Sequence, residues 1–450
     1  MFLLTKGKQW TNWSETVHSQ PSKIVYPKSI DEVCQIVKRA SDNQEKIRVV
    51  GAGHSFTPIA ATTGYLMSLD YLAGVLSIDE HNQTAEVLAG TRLYDLTTQL
   101  AAKGFAQENL GDINVQSLAG AILTGTHGTG VKFGNIATQV VALTLVKATG
   151  ELLTITPDHQ EVPLQAAAIS LGLLGVVVKV TIRIVPAPMY CYISNKYRFD
   201  DLLNDLPDLI EENRHFECFL FPYSDMVQVK TMNLSEEKPR SLRKHRLSAL
   251  VMENYAFKFL SETARMIPKT SRSISRLSAR AIGSSIVYAK SHDLFATQRR
   301  VKFREMEYSI PLEYLIEALA AMKAKIEQMK YNVHFPIEVR IVKGDDIWLS
   351  TAYGRNSAFI AIHMYKGMAF KQFFYDMDQV LTAYQARPHW GKMHEMKLSQ
   401  LHSAFPKLHQ FLDIRKHVDP EGVFLNSYFT SLFELNIEDK LTVSHSSTLK

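Results

Sequence analysis

Cysteine is scarce in this 450-residue chain, and the motifs that depend on it are missing. Cys34, Cys191 and Cys218 are its three cysteines, and they form no Cys-x-x-Cys motif or Cys/His cluster. We therefore expect no metal site and no disulfide framework, a pattern typical of a reducing compartment. A chain of this length buries enough apolar surface to fold without such cross-links.

Long apolar runs are also absent. The first residues, MFLLTKGKQWTNW, carry only a very short apolar run, whereas a signal peptide needs about 7–15 consecutive apolar residues. No segment approaches the roughly 20 apolar residues of a membrane-spanning helix. The sequence therefore predicts a cytoplasmic protein, and any contact with a membrane would be peripheral.

Acidic residues are rare in one region. Residues 238–304 contain 16 Lys and Arg against 3 Asp and Glu, although the net charge of the whole chain is only +5. Arg272, Arg276 and Arg280 follow at four-residue spacing, which places them on one side of a helix. This basic stretch has two interpretations, a solvated helical face or peripheral contact with an anionic membrane. It does not indicate nucleic-acid binding, because aromatic residues are not interleaved with the basic ones.

Helix and strand signals alternate regularly in the first half of the chain. Ser29 and Glu32 form a capping box ahead of an apolar helical face. Residues 47–50 predict a short strand that runs into Gly51, and 173–185 predicts the longest strand and a domain edge. The other elements that matter here are a predicted helical region at 238–300 and predicted strands at 302–310, 337–342 and 358–364.

Two glycine-rich segments carry the clearest chemical signal. Residues 51–55 read Gly-Ala-Gly-His-Ser directly after a strand, where backbone N–H groups can face a phosphate without side-chain obstruction. This segment matches the glycine fingerprint of nicotinamide-binding proteins only in part. Asp70 could serve as the ribose-binding acid, but Phe56 stands where the third glycine of the fingerprint belongs. Residues 111–130 add five more glycines. Two such segments favour a large, flat, polar ligand over a structural turn.

These two segments, RVVGAGHSF (48–56) and GDINVQSLAGAILTGTHGTG (111–130), resemble the FAD-binding domain of the vanillyl-alcohol-oxidase type. The blocks IEVR, DDIWLS, RPHWGK and FLNSY in the second half resemble the sugar-1,4-lactone oxidases, the family of gulonolactone and arabinonolactone oxidases. The resemblance implies an α+β, two-domain flavoprotein. Its FAD-binding domain would span 1–187, a substrate or cap domain with a sheet over the flavin 188–397, and a C-terminal return to the FAD domain 398–450.

The resemblance also implies FAD as the cofactor, attached covalently through His54. A neutral imidazole nitrogen is a competent nucleophile near neutral pH. The other residues that the resemblance places against the cofactor are Gly51, Ala52, Gly53, Ser55, Ser117, Gly120, Thr124, Gly125, His127, Gly130, Val177, Asn426 and Tyr428.

Glu338 and Arg340 are the first candidates for substrate chemistry. They lie two apart on a predicted strand, so both side chains point to one face, where a carboxylate and a guanidinium suit a polyhydroxy substrate. The resemblance makes Lys392 the cation near the flavin and the forming alkoxide. It also includes His363 and Tyr365 in the site: His363 is more similar to alditol oxidases, and the Met364–Tyr365 pair to lactone oxidases.

The implied reaction is oxidation of a secondary alcohol in a gulono-, galactono- or arabinono-1,4-lactone, with molecular oxygen as acceptor and hydrogen peroxide as product. Two enzymatic alternatives stay open: an alditol oxidase acting on xylitol or sorbitol, and a dehydrogenase that uses another electron acceptor. A third alternative is a flavin-binding protein without catalysis, in which Glu338, Arg340 and Lys392 are structural.

Overall fold

The computed structural model describes residues 5–6, 9–242, 255–295 and 301–435 of the chain. Helix Ile30–Asp42 begins where the capping box predicts, because Ser29 Oγ accepts the backbone N–H of Glu32. Its acidic first turn complements the positive end of the helix dipole. Its buried face consists of Val33, Ile36, Val37 and Ala40.

Two sheets form the N-terminal half. One has four strands, parallel except for the first pair, in the spatial order Thr5–Lys6, Lys23–Val25, Tyr65–Ser68 and Ile47–Val50. The other is antiparallel, in the order Leu152–Ile155, Val140–Val146, Val176–Arg183, Thr84–Leu88 and Val75–Asp79. Two short pairs join Trp10–Thr11 to His18–Ser19 and Phe105–Ala106 to Val185–Pro186. The remaining helices and 3-10 turns of this half are Pro58–Ala60, Leu93–Ala101, Leu118–Leu123, Ile136–Gln139 and Leu164–Ala168.

The second half is built on one eight-stranded sheet in which every strand pair is antiparallel. The spatial order of its strands is Ser285–Lys290, Met189–Arg198, Met226–Leu234, His215–Leu220, Ile337–Val342, Ser357–Tyr365, Phe303–Pro311 and Arg387–Pro388. The chain crosses this sheet in non-sequential order, so strands from residues 215, 303, 337 and 357 become neighbours at its centre. The α+β prediction is therefore confirmed.

Helices accompany the large sheet and close the chain. They are Phe199–Glu212, Phe257–Met266, Ser271–Ala281, Ser291–Leu294, Leu315–Met329, Lys371–Thr382, Leu398–Ala404, Leu408–Val418 and Ser427–Leu432, with 3-10 turns at Pro268–Thr270 and Leu312–Tyr314. Among the described residues, no helix combines the length and apolar character needed to cross a bilayer.

Two sequence predictions differ from the structure. The strand predicted at 173–185 starts only at Val176, because Gly172 (φ +66°) and Gly175 (φ +151°) turn the backbone before it. The region 238–300 contains the predicted helices, but Ser285–Lys290 is a strand that pairs with Met189–Arg198 at the sheet edge. Residues 243–254 and 296–300 of that region lie outside the described residues.

Arg48 ties the last part of the chain to strand Ile47–Val50. It is 3% exposed, and its guanidinium donates to the carbonyls of Ile59, Leu171 and Phe424 at 2.8, 2.8 and 2.7 Å and of Gly172 at 3.1 Å. The neighbouring Ile47 N–H donates to the carbonyl of Val423 at 2.8 Å. A buried cation held by carbonyls from three separate segments fixes those segments against one another.

Replacing Arg48 with methionine should destabilise the protein strongly, because four buried carbonyls lose their donor. We expect the free energy of unfolding in urea to fall by about 3 kcal/mol or more. The matched control is Lys38→Gln, which breaks an exposed (i, i+4) pair with Asp42 and should change the free energy by about 0.5 kcal/mol at most. Equal effects of the two substitutions would contradict the structural role of Arg48.

Candidate active site

A cleft lined in part by glycines opens beside strand Ile47–Val50 and helix Leu118–Leu123. We call it the glycine cleft. Five of the residues predicted to bind the cofactor line it: Gly51, Ser117, Gly120, Thr124 and Val177. The two glycine-rich segments, sixty residues apart in sequence, are therefore brought to one cleft.

The Ser117 side chain leaves little room for a side chain at position 51. A Cβ on Gly51 would lie 2.2 Å from Ser117 Oγ and 3.1 Å from Ser117 Cβ, closer than non-bonded atoms normally come. Gly53 has φ +67°, in the left-handed region that side chains rarely adopt. Ser117 also caps its helix, because its Oγ accepts the N–H of Gly120 at 3.2 Å. Glycine at the end of the strand fits a pyrophosphate, because a phosphate can approach backbone N–H groups closely there.

His54 follows in the same loop, close to the charged groups of a second cavity. Its ring stacks on the indole of Trp13, with centroids 4.8 Å apart and planes at 21°. Burial lowers the pKa of this imidazole to about 4, and the positive charge of Lys392 acts in the same direction. His54 is therefore neutral at physiological pH, the state in which a ring nitrogen can act as a nucleophile.

A second cavity lies on one face of the eight-stranded sheet. We call it the sheet cavity. The antiparallel register aligns Glu338 with Ala361, and Ala361 with Glu307. It also places Glu305 opposite His363. Since side chains alternate along a strand, Glu305, Glu307, Glu338, Arg340 and His363 all project from the same face.

Arg340 is held by carboxylates on three sides. It contacts Glu338 on its own strand, Glu217 Oε2 at 3.1 Å on the adjacent strand, and Asp112 at 3.4 Å from the glycine-rich segment 111–130. Burial alone would lower the pKa of Arg340, but these three carboxylates outweigh it and raise that pKa well above its usual value. Arg340 is thus a fixed cation that joins the large sheet to the N-terminal half.

Lys392 enters the sheet cavity from the loop after Arg387–Pro388. Its Nζ lies 2.5 Å from Glu305 Oε2, and Glu305 Oε1 lies 3.4 Å from His363 Nε2. Burial raises the pKa of Glu305, but Lys392 and His363 more than offset this effect and bring it to about 2. Burial lowers the pKa of Lys392, but the negative charges of Glu305 and Glu307 have a larger effect and raise this pKa above its usual value. Both members of the pair stay ionised.

Two histidines in this cavity face acceptors with both ring nitrogens. His127 Nδ1 lies 2.9 Å from the carbonyl of Gly128, and its Nε2 lies 3.0 Å from Glu307 Oε1. His363 Nδ1 lies 3.1 Å from the carbonyl of Pro336, with Glu305 beyond Nε2. One nitrogen of each ring therefore faces a backbone carbonyl, and the other faces a buried carboxylate.

Each carboxylate in and beside the sheet cavity faces a basic side chain. The carboxylates are Asp112, Glu217, Glu305, Glu307 and Glu338. The basic side chains are Arg340, Lys392, His127, His363 and Lys230, which pairs with Glu217 at 3.4 Å. A ligand that enters this cavity therefore meets many hydrogen-bonding groups, and the carboxylates there already have basic partners.

His389 also lines the sheet cavity, but in the neutral form. Its Nδ1 accepts the backbone N–H of Gly391 at 3.1 Å, so the ring proton resides on Nε2. Burial lowers the pKa of His389 to about 4, although the negative charge of Glu307 opposes the shift.

Four predicted site residues line neither the glycine cleft nor the sheet cavity. The Tyr365 hydroxyl donates to Glu262 Oε1 at 2.5 Å, which places it against helix Phe257–Met266. Asn426 Nδ2 donates to the carbonyls of Pro58, Ile59 and Ala61, so it fastens the C-terminal segment. The Gly130 N–H donates to the carbonyl of Ile341 at 2.7 Å, which joins segment 111–130 to the large sheet. Tyr428 packs against Phe429. The roles of these four residues in the site stay predictions.

The most important residues missed by sequence reasoning are the carboxylates Glu305, Glu307, Glu217 and Asp112. Glu305 and Glu307 stand two apart on a strand that was predicted and whose other residues are largely apolar, the same spacing that identified Glu338 and Arg340. That signal was available. The roles of Glu217 and Asp112 depend on which strands become neighbours, and nothing in their local sequence shows it. Across the described residues, no three His, Cys, Asp or Glu side chains converge in a way that could hold a metal ion.

Comparison with known proteins agrees with this geometry. Residues 180–432 match the family model for D-arabinono-1,4-lactone oxidase, and residues 21–156 match that for an FAD-binding domain. The L-gulono-1,4-lactone dehydrogenase of Mycobacterium tuberculosis is 38% identical over 420 residues, 93% of this chain and 97% of the relative. The L-gulonolactone oxidase of Mus musculus is 33% identical over 439 residues, 95% of this chain and 99% of the relative.

The fold is shared with a solved oxidase. A cholesterol oxidase from Brevibacterium sterolicum superposes with a TM-score of 0.82 over 96% of this chain and 97% of its own, at 16% sequence identity. At that identity the likeness concerns the fold alone. Together with the match of residues 21–156 to an FAD-binding domain model, it confirms the predicted vanillyl-alcohol-oxidase-type architecture.

The neutral state of His389 makes stability depend on pH. Unfolded histidine binds a proton below about pH 6.5, whereas His389 in the folded protein resists protonation down to about pH 4. The unfolded state thus gains protons as pH falls through this window, and the free energy of unfolding should decrease. When the free energy of unfolding is measured between pH 7 and 4, His389→Asn should reduce its slope against pH by the equivalent of up to one proton. Asparagine is chosen because its side chain still offers the Gly391 N–H an acceptor.

The control for this measurement is His409→Asn. The side chain of His409 is 77% exposed and pairs with Asp413 on the surface, so its removal should leave the slope between pH 7 and 4 nearly unchanged. A His389→Asn profile parallel to that of the unmodified protein would contradict the buried neutral imidazole.

Proposed function

Because the chain belongs to the D-arabinono-1,4-lactone oxidase family of FAD-dependent oxidoreductases, we propose that it oxidises a secondary alcohol of a sugar-derived 1,4-lactone. The observation that carries the proposal is the sheet cavity, in which Glu338, Arg340 and Lys392 converge. Each of them is already paired there with a side chain of opposite charge. A lactone is neutral and rich in hydroxyls, so it can form hydrogen bonds there without adding a charge that lacks a partner.

In this proposal each of the three residues has a distinct task. Arg340 donates hydrogen bonds to ring or hydroxyl oxygens, and its three carboxylate neighbours keep it in place. Glu338 accepts a hydrogen bond from the alcohol hydroxyl, orients the alcohol and takes its proton during the oxidation. Lys392 stabilises the negative charge that develops on the alcohol oxygen as this proton leaves. His363 takes part through Glu305, which it shares with Lys392.

The proposed cofactor site joins the two cavities. Bound FAD supplies the two-electron acceptor for the alcohol C–H bond. Gly51, Ser117 and Gly120 would face its pyrophosphate in the glycine cleft, and the loop to Ser55 would carry it toward the sheet cavity. We propose the covalent link at His54, which is neutral and interacts electrostatically with Lys392, Glu305 and Asp112. Ala52, Gly125 and His127 complete the proposed contacts.

The proposed domain division follows the sheets. Residues 1–187 and 398–450 would form the FAD-binding domain, and 188–397 the substrate domain with the eight-stranded sheet. The contacts of Arg48 and Ile47 with residues 423–424 support the C-terminal return.

Molecular oxygen is the proposed electron acceptor, with hydrogen peroxide as product. The relatives differ in this respect, since the mycobacterial one is named a dehydrogenase and the mouse one an oxidase. Stopped-flow mixing of the substrate-reduced protein with aerated buffer decides between them. Reoxidation within the turnover time supports oxygen, and reoxidation that is far slower than turnover with an artificial acceptor would support a dehydrogenase.

Removal of either cation should abolish most of the activity on lactones. We expect Arg340→Met and Lys392→Met each to lower kcat/KM for gulono-, galactono- or arabinono-1,4-lactone by about 100-fold or more, with bound flavin retained. Lys343→Met, at an exposed position just after the same strand, is the control and should retain full activity. Turnover of xylitol and sorbitol alone would favour the alditol alternative, and unchanged lactone kinetics in both variants would rule out the proposed roles.

We also propose peripheral contact with an anionic membrane surface through the helix pair Phe257–Met266 and Ser271–Ala281. This surface exposes Phe259 (72%), Met266 (69%) and Leu277 (53%). Exposed basic side chains surround them: Lys258, Arg265, Lys269, Arg276 and Arg280. Glu262, the acidic residue on the described part of this pair, already contacts Tyr365 and Arg265. Apolar side chains among cations suit an anionic lipid surface.

The double variant Phe259→Ser, Met266→Ser should weaken vesicle binding at least fivefold. Co-sedimentation would compare vesicles of phosphatidylcholine with vesicles that also contain phosphatidylglycerol, and binding is expected only to the latter. Tyr375→Ser removes an equally exposed apolar side chain (54%) from a different helix and should have no effect. Absence of binding to either kind of vesicle would refute the membrane proposal while leaving the oxidoreductase proposal intact.

A further inference from the structure

We propose that Trp13 is a positioning residue for the bond between His54 and the flavin: its indole holds the imidazole in the one orientation from which the cofactor can be attached. The inference rests on the proposed covalent role of His54, and the relevant contacts come from a turn that the sequence did not single out. That turn comprises residues 12–17.

The indole of Trp13 fills the space between His54 and the wall of the sheet cavity. It is stacked on the imidazole at 4.8 Å, and it meets the ring of Phe303 edge-on at 5.4 Å and that of Phe56 at 6.4 Å. Phe303 lines the sheet cavity. One face of the imidazole is therefore covered, and its rotation is limited to positions nearly parallel to the indole.

Backbone contacts fix the loop on both sides of His54. The Trp13 N–H donates to the carbonyl of Gly53 at 2.8 Å, and Asn12 Nδ2 donates to the carbonyl of Ser55 at 2.9 Å. Asn12 is itself immobilised, because its Oδ1 accepts the N–H groups of Thr16 and Val17 at 2.9 and 3.0 Å. The turn therefore holds the two neighbours of the histidine as well as its ring.

The same turn is anchored to the large sheet. Glu15 has a left-handed backbone (φ 59°), and its carboxylate binds Lys302 at 2.5 Å and also Lys366. These lysines adjoin the strands Phe303–Pro311 and Ser357–Tyr365, which carry residues of the sheet cavity. The position of the stacked imidazole is thus fixed relative to the sheet cavity, toward which the flavin ring is proposed to lie.

Orientation matters because the attachment has strict chemical requirements. The new bond joins an imidazole nitrogen to the C8 methyl carbon of the flavin, while one N–H and one C–H bond break. The two hydrogens, with their two electrons, remain on the flavin ring until molecular oxygen accepts them as hydrogen peroxide. A nucleophile held within reach of the methyl carbon reacts far faster than one that rotates freely. Trp13 supplies that restraint without touching the reacting atoms.

The test separates covalent attachment from flavin binding. Wild-type protein, Trp13→Phe, Trp13→Met and His54→Ala are purified with their cofactor. Total flavin per chain is measured by absorbance, and the covalent fraction by flavin fluorescence of the denatured chain in a gel and by intact mass. Trp348→Phe and Trp348→Met are the matched controls, at a partly buried tryptophan whose ring faces Lys407.

We expect Trp13→Phe to keep at least half of the wild-type covalent fraction, because a planar ring still stacks on His54. Trp13→Met retains apolar volume without a planar face and should lose fivefold or more of the covalent fraction, with total flavin unchanged. Both Trp348 variants should match wild type, and His54→Ala should show no covalent flavin.

Three outcomes would overturn the inference. In the first, Trp13→Met keeps the wild-type covalent fraction. In the second, Trp13→Met loses total and covalent flavin in the same proportion, so that the indole serves flavin binding alone. The same conclusion, for folding alone, follows if Trp13→Met does not fold and Trp13→Phe does not restore folding. In the third, wild-type protein carries no covalent flavin, which removes both the His54 bond and the role of Trp13. Lactone turnover with dissociable FAD would then still support the proposed oxidation.

Discussion

Arg48 is buried with no carboxylate partner among the described residues, and this is the constraint on which the cofactor half of the molecule depends. A guanidinium in the interior is tolerated only when its donors are satisfied, and here the acceptors are carbonyls from the Ile59 turn, the 171–172 loop and Phe424. Burial lowers the pKa of Arg48 to about 9, so the group remains charged at neutral pH. The strand that carries Arg48 leads directly into Gly51, and the glycine cleft is formed by segments that this side chain holds together.

The sheet cavity differs from the surroundings of Arg48, because its buried charged groups pair directly with groups of opposite charge. Arg340 is shared among three carboxylates, and Glu305 is shared between Lys392 and His363. Removing one member leaves its partner buried and unpaired, which is costly. Such a network is rigid, and it presents its donors and acceptors in fixed directions before any ligand arrives. That preorganisation is what differential stabilisation of a developing charge requires.

Local sequence was sufficient where a local rule determines structure. Ser29 and Glu32 predicted the start of a helix, and the two glycine-rich segments predicted a common ligand because glycine has few other uses at such density. The alternation of Glu338 and Arg340 predicted a shared face. Glu305 and Glu307 satisfied the same rule and were overlooked, whereas Asp112 and Glu217 reach Arg340 only because of the sheet order. No local rule identifies Trp13, since its contact with His54 depends on a turn of six residues that has no sequence signature.

The contacts of strand Ile47–Val50 with residues 423–424 have a consequence for how the protein is made. The carbonyl acceptors of Arg48 and Ile47 at Phe424 and Val423 lie about 375 positions further along the chain. A ribosome must therefore synthesise the entire eight-stranded sheet before these two carbonyls exist. Until then the Ile47 N–H and the buried Arg48 guanidinium lack two of their native acceptors, so strand Ile47–Val50 cannot make its full set of hydrogen bonds until residues 423–424 have been added.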